Sequence, residues 1–168
     1  DGFGDAVSTQ AACLAPSGYI ADATDCDDVD GDVHPDATEL CDLVDNDCDG
    51  VTDEDDALDA TTWFLDGDGD GFGDAVSTQA ACLAPSGYIA DATDCDDVDG
   101  CVHPAATEVC DLVDNDCDGV TDEDDALDAT TWFLDGDGDG FGDAVSTQAA
   151  CLAPSGYIAD ATDCDDVD

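Results

Sequence analysis

The chain has 168 residues, 47 of them acidic, with neither lysine nor arginine, for a formal charge of −47. A surface without cations cannot neutralise phosphates, which excludes nucleic acid and anionic membrane surfaces as partners. Nor does any apolar run approach the ~20 residues that span a bilayer, so membrane insertion is not expected.

Phe3, Phe72 and Phe141 lie in one repeated string, GFGDAVSTQAACLAPSGYIADATDCDDVD, at a spacing of 69 residues. The chain therefore reads as copy 1 (1–69), copy 2 (70–138) and a partial third copy (139–168). The full copies differ only where Asp32 is matched by Cys101, Asp36 by Ala105 and Leu40 by Val109. Tandem copies imply an array in which each unit meets its neighbours, hence an elongated filament or stalk. With no methionine and a start in mid-motif, the stretch is expected to be the interior of something longer. Large apolar side chains are too few for a self-sufficient core, so each copy needs staples. The expected fold is a loop-rich tandem repeat with little regular secondary structure. It would carry short β-strands and one short helix per repeat, organised by calcium loops and disulfides.

Taken in chain order, the first acidic cluster is Asp25-Cys26-Asp27-Asp28-Val29-Asp30-Gly31. It lacks a clean 1-3-5-Gly spacing, yet Asp25, Asp27, Asp28 and Asp30 are candidate ligands, as are Asp94, Asp96, Asp97 and Asp99 in copy 2. Asp32 and Asp36 vanish in copy 2, so neither is an indispensable ligand. Pro35 to Leu43 is expected to form two helical turns, with Pro near the start where its missing N–H costs nothing. The next segment, Asp45-Asn46-Asp47-Cys48-Asp49-Gly50-Val51-Thr52-Asp53-Glu54, has aspartates at 1, 3, 5 and 9 and Gly at 6, the calcium-loop pattern. Its expected ligands are Asp45, Asp47, Asp49, the Val51 carbonyl, Asp53 and Asp56 at position 12. Their copy-2 counterparts are Asp114, Asp116, Asp118, Val120, Asp122 and Asp125. Thr61 to Leu65, β-branched and aromatic, reads as a strand. It feeds into Asp66-Gly67-Asp68-Gly69-Asp70-Gly71-Phe72-Gly73-Asp74, again with carboxylates at 1, 3, 5 and 9. Alternate residues there point oxygens inward and the carbonyl of residue 7 completes one side. The expected ligands are Asp66, Asp68, Asp70, Phe72 and Asp74, then Asp135, Asp137, Asp139, Phe141 and Asp143, with Asp1 and Asp5 from the first partial loop. Position 12 is Ser77, so the closing ligand must come from elsewhere.

Hard oxygen donors in flexible loops favour calcium over magnesium, which demands tighter octahedral geometry. Three acidic segments per repeat imply about three calcium ions per repeat. The disulfide candidates are Cys13, Cys26, Cys41 and Cys48, then Cys82, Cys95, Cys110 and Cys117, then Cys151 and Cys164. Four cysteines per repeat allow three connectivities. Sequential pairing, Cys13–Cys26 and Cys41–Cys48, is preferred because each bridge closes a short loop beside an acidic cluster. Cys101 has no partner in this scheme and is a candidate for linking chains. Disulfides imply an oxidising, extracellular or cell-surface location.

The order DGDGDGFGD, Cys82, Pro85-Ser86-Gly87-Tyr88, Asp94-Cys95-Asp96-Asp97, Pro104 to Glu108 and Asp114-Asn115-Asp116-Cys117-Asp118-Gly119 resembles the MopE-type metal-binding repeat of bacterial and archaeal secreted surface proteins. The DxDxDG segment is also similar to thrombospondin type 3 calcium repeats. The MopE family is named for copper binding through His and a modified Trp, and His34 and Trp63 are the residues of those types in copy 1.

The resulting expectation is a structural extracellular calcium-binding repeat protein whose partners are neighbouring repeats or copies of itself. An alternative is a calcium-dependent adhesin, with Thr61, Thr62, Tyr19 and Trp63 as recognition residues. Another is copper scavenging through His34. O-linked glycans on Ser8, Thr9 or Thr61 are possible, whereas no N-glycosylation sequon is present. No local Ser-His-Asp or Cys-His constellation points to an enzyme.

Overall fold

A computed structural model describes residues 1–163. They form two compact bodies: Asp1–Leu65 with Val76–Ala90, and Asp66–Ala75 with the chain from Asp91 onward.

In the first body the Thr-Thr-Trp-Phe-Leu run forms strand β1 (Thr61–Leu65). It lies between β2 (Asp74–Ala81), of which Val76–Ala81 belong to this body, and β3 (Tyr88–Ile89). β1 and β3 are antiparallel, with Phe64 opposite Ile89 and Leu65 opposite Tyr88. The Trp63 indole N–H donates to the Ala81 carbonyl at 3.1 Å, so the aromatic ring also fastens the end of β2. The second body repeats the plan with β4 (Thr130–Leu134) between β5 (Asp143–Ala150) and β6 (Tyr157–Ile158). There β4 and β5 run antiparallel from Thr130 opposite Ala150 to Phe133 opposite Thr147, and the register then shifts so that Leu134 faces Asp143. The shift lets the strand give way directly to the acidic loop that precedes β5.

The core is thin. Its buried apolar members are Val33, Ala57 and Ala81, and then Val102, Ala126 and Ala150, and no large side chain is fully buried among the described residues. A buried valine contributes about 1.5–3 kcal/mol, far too little to order so many residues. Val7, Leu14 and Val29 point to solvent. Side-chain carboxylates and disulfides carry the framework instead.

The helix expected over Pro35–Leu43 is absent, and no helix occurs among the described residues. One turn forms there, the Ala37 N–H bonding the His34 carbonyl at 2.8 Å. Beyond it the amides are taken by side chains: Leu40 donates to Asn46 Oδ1, Cys41 to Asp59 Oδ1 and Leu43 to Asp53 Oδ1. Such side-chain acceptors compete with the helical ladder and win here. Leu43, at φ +70°, closes the segment.

Four disulfides occur among the described residues: Cys26–Cys48, Cys41–Cys82, Cys95–Cys117 and Cys110–Cys151. The sequential pairing Cys13–Cys26 and Cys41–Cys48 is therefore wrong, and Cys13 and Cys101 are exposed and have no partner among the described residues. Cys164 lies outside the described residues. The reason is the sheet. The Leu58 N–H bonds the Glu39 carbonyl and the Cys41 N–H bonds Asp59, which fixes Cys41 beside the approach to β1. Trp63 holds Ala81 in the same place, so Cys82 rather than Cys48 arrives opposite Cys41. The bridges span 22 and 41 residues, and loops of those sizes stabilise by about 3–4 kcal/mol each in the chain-entropy picture.

Candidate metal centres

The first centre grows from the Asp45–Glu54 loop. Asp45 accepts the Asp49 N–H at 3.1 Å and the Gly50 N–H at 3.0 Å through its two oxygens. Asp47 also accepts the Asp49 N–H, and Asp49 accepts that of Val51 at 2.9 Å. Gly50 takes φ +97°, which the reversal requires. Underneath sits Glu39, 7% exposed. Its Oε2 receives the N–H groups of Asn46 and Asp47 at 2.9 and 3.3 Å, and its Oε1 that of Asp53 at 3.0 Å. Buried Asn46 joins the segments, its Oδ1 taking the Leu40 N–H and its carbonyl that of His34.

Single oxygens of Glu39, Asp45 and Asp47 lie within 4.8 Å of one another, as do those of Asp47, Asp49 and Glu54. Both Glu54 oxygens are buried without a hydrogen-bond donor. Desolvation raises the Glu54 carboxyl above the usual range, and Asp49 and Glu39 add to the rise. A carboxylate brought there without a donor is a candidate ligand for a cation. The copy-2 loop repeats the arrangement: Glu108, Asp114 and Asp116 are grouped, and both Glu123 oxygens lack donors. Glu123 is held down first by its own backbone, but burial and the charges of Glu108 and Asp118 outweigh this and raise it. Asp118, Glu123 and Asp125 line one open cleft with Glu108 and Asp116. Position 9 behaves differently from the other loop aspartates. Asp53 and Asp122 spend one oxygen on the N–H of Leu43 and of Leu112, respectively, and take φ +58° and +57°.

Sequence reasoning overlooked Glu39, Glu54, Glu108 and Glu123. A signal was present: these are the only glutamates in the chain, and all four fall in this centre. The EF-hand template looks to positions 9 and 12 and passes over Glu54 at position 10.

The second centre is built on Asp66–Asp74. Asp66 accepts the Gly69 N–H at 2.8 Å, Asp68 that of Asp70 at 3.2 Å and Asp70 that of Phe72 at 2.8 Å. Single oxygens of Asp66, Asp68 and Asp70 fall within 4.8 Å of one another. Against this loop lies the Asp94–Asp99 segment. Asp94 donates its N–H to the Gly73 carbonyl at 3.2 Å and pairs with Asp74 in a parallel bridge. Asp97 Oδ1 accepts the Gly67 N–H at 2.6 Å. The Oδ2 atoms of Asp68, Asp70 and Asp94 are buried without donors. Desolvation, then the charges of Asp70, Asp94 and Asp97, raise the Asp68 carboxyl. Asp135, Asp137 and Asp139 form the next such loop, with N–H groups of Gly138, Asp139 and Phe141 as donors. Asp137 is held down first by the Asp139 N–H, but burial and the charges of Asp139, Asp163 and Asp135 raise it.

In the first body Asp1 accepts the Phe3 N–H, and Asp25, 6% exposed, donates its N–H to the Gly4 carbonyl and pairs with Asp5. Asp28 lines a cleft with Phe3 and Asp5. Asp5 and Asp143 cap the backbone of Val7 and Val145 and the hydroxyls of Ser8 and Ser146. Those bonds, Val145 first and Ser146 second, lower the Asp143 carboxyl. Asp27, Asp30 and Asp99 serve exposed turns, accepting the N–H groups of Val29, Asp32 and Cys101, and Asp96 is exposed. The rings of Phe3 and Phe72 stack on His34 and His103 at 5.3 and 5.0 Å. The Nδ1 atoms of those histidines accept the N–H groups of Asp36 and Ala105.

The model of one family, Cu-binding MopE, described as "Putative metal-binding motif", matches residues 25–54 and again residues 94–123. The chain thus carries two copies of this motif, in agreement with the resemblance seen in the sequence. Each match takes in the whole first centre and Asp25 or Asp94, while the Asp66–Asp74 loop falls outside. No curated protein and no solved structure matches the chain.

Proposed function

We propose that this chain is a structural, extracellular calcium-binding repeat, one part of a longer filament or stalk, and that it has no catalytic role. The carrying observation is the pair of Glu54 oxygens, buried without donors beside Asp47 and Asp49. Calcium is favoured over copper because the grouped donors named above are hard carboxylate oxygens on open loops. His34 and His103, the residues copper would prefer, stack on phenylalanines and use Nδ1 on backbone amides. Disulfides support an oxidising setting. The Cys41–Cys82 bridge joins one sequence copy to the next, as an array needs. Binding energy then becomes folding energy, since little else opposes the mutual repulsion of the anions. The test is isothermal titration of the metal-free oxidised chain with calcium, magnesium and copper(II) in turn, followed by circular dichroism. Calcium should bind several-fold per chain and increase order. Tight copper binding with calcium inert would establish the scavenging alternative instead.

A further inference from the structure

The Asp66–Asp74 loop contains three ligand aspartates but no closing residue at position 12, and it lies outside the matched motif. We infer that Asp94 and Asp97 complete it, so that one divalent cation is held by two chain segments, Asp66–Asp70 and Asp94–Asp97. This rests on the calcium reading above and adds a site to it. It also makes the aspartates after Cys82 part of the DxDxDG centre rather than a third, separate one.

Three observations carry the assignment. First, the Oδ2 atoms of Asp68, Asp70 and Asp94 are all buried without a donor, though each partner oxygen Oδ1 accepts a backbone N–H. The same aspartate in the first body, Asp25, is 6% exposed and its Oδ2 also has no donor. A feature seen at both equivalent positions belongs to the repeat. Second, the two segments are packed too closely for side chains between them. A Cβ on Gly67 would lie 2.6 Å from Asp97 Oδ2 and 2.9 Å from the Asp97 carbonyl, while Gly100 sits in ordinary contact with Asp68 and Asp70, its Cβ position 3.5 Å from the Asp70 Cβ. Third, single oxygens of Asp66, Asp68 and Asp70 already lie within 4.8 Å of one another, with neither Lys nor Arg in the chain to offset them. Carboxylates forced together at this range repel strongly unless an ion sits among them.

The test counts calcium by native mass spectrometry on the full oxidised chain and on Asp97→Asn, Asp94→Asn and Glu123→Gln variants. Asn at 97 keeps an oxygen for the Gly67 N–H, so the fold is retained. The expected result is that Asp97→Asn and Asp94→Asn each lose one ion, or weaken it tenfold or more, while Glu123→Gln loses a different one. Combining Asp97→Asn with Glu123→Gln should then lose two. As a second readout, calcium should slow hydrogen exchange at Gly67 and Asp68 in the parent and fail to do so in Asp97→Asn. Unchanged ion count and unchanged exchange in both aspartate variants, with calcium still bound elsewhere, overturns this site alone. No calcium bound by the parent overturns the functional reading as well.

Discussion

Asp97 Oδ1 receives the Gly67 N–H at 2.6 Å, joining residues 30 apart in sequence through a carboxylate. Gly67 is required there by space. In Gly67→Ala the new Cβ meets backbone as well as side chain of Asp97, so the neighbour cannot simply rotate away. Overpacking of this kind costs about 1–3 kcal/mol. Denaturant unfolding in calcium should show that loss, whereas Gly69→Ala, strained only by its φ of +85° with open space around it, should lose about 1–2 kcal/mol without displacing Asp97.

Glu39 and Glu54 should separate fold from metal. Glu39→Ala strands the N–H groups of Asn46, Asp47 and Asp53, and buried amides left unpaired cost about 1–3 kcal/mol each. The expected loss is roughly 3 kcal/mol or more already in the metal-free protein. Glu54→Gln removes a charge that bonds no donor. It should leave the metal-free fold as stable as before or more so, and weaken calcium at that loop at least tenfold by calorimetry.

Acid should act in opposite directions on the two states. In metal-free protein, Asp68 and Glu54 have raised carboxyls, so the folded chain binds protons more tightly than the unfolded chain does. These two groups then contribute stability that grows as the pH falls through their raised values to the ordinary carboxylate range of about 4. That contribution is lost as pH climbs above the raised values, opposite in sign to Asp22 and Asp143, whose carboxyls are lowered. With calcium bound, protons compete with the ion and the trend reverses. Urea midpoints across this range, on protein stripped of metal by resin and then with calcium restored, should cross. Parallel trends would refute the assignment of these carboxylates.

Alkylation without reduction should label Cys101, and peptide mapping should find Cys41 joined to Cys82. A Cys41–Cys48 peptide would overturn the described pairing.

Leu43 offers a simple gain. It is 80% exposed and holds φ +70°, a region costing non-glycine residues about 1–2 kcal/mol. Leu43→Gly should stabilise the chain by roughly 0.5 kcal/mol after glycine's own entropy cost, seen as a higher urea midpoint.

The strand at Thr61–Leu65 was legible because its β-branched and aromatic residues pack well on a pleated surface, and the aspartate turns because Asp and Gly supply local acceptors and positive φ. What sequence left hidden was non-local. Cys48 lies only seven positions beyond Cys41, yet Glu39 and Trp63, each acting at long range, deliver Cys82 instead. Asp94 and Asp97 looked like part of an independent acidic cluster because nothing in their own neighbourhood reveals that Gly67 and Gly73 lie opposite. The Pro35–Leu43 segment has acceptable local helix signals, but Asn46, Asp53 and Asp59 take its amides.

The bridged positions alternate along the chain, 26 and 48 with 41 and 82, then 95 and 117 with 110 and 151, so the two rings in each set overlap. A peptide bond broken anywhere between Cys26 and Cys82 therefore leaves the fragments tethered. Between the two sets only residues 83–94 lie outside the disulfide rings, about 40 Å at full extension once pulled out of their strands. A rope knotted this way gives a little at each interval and then goes taut, even after its turns have come undone.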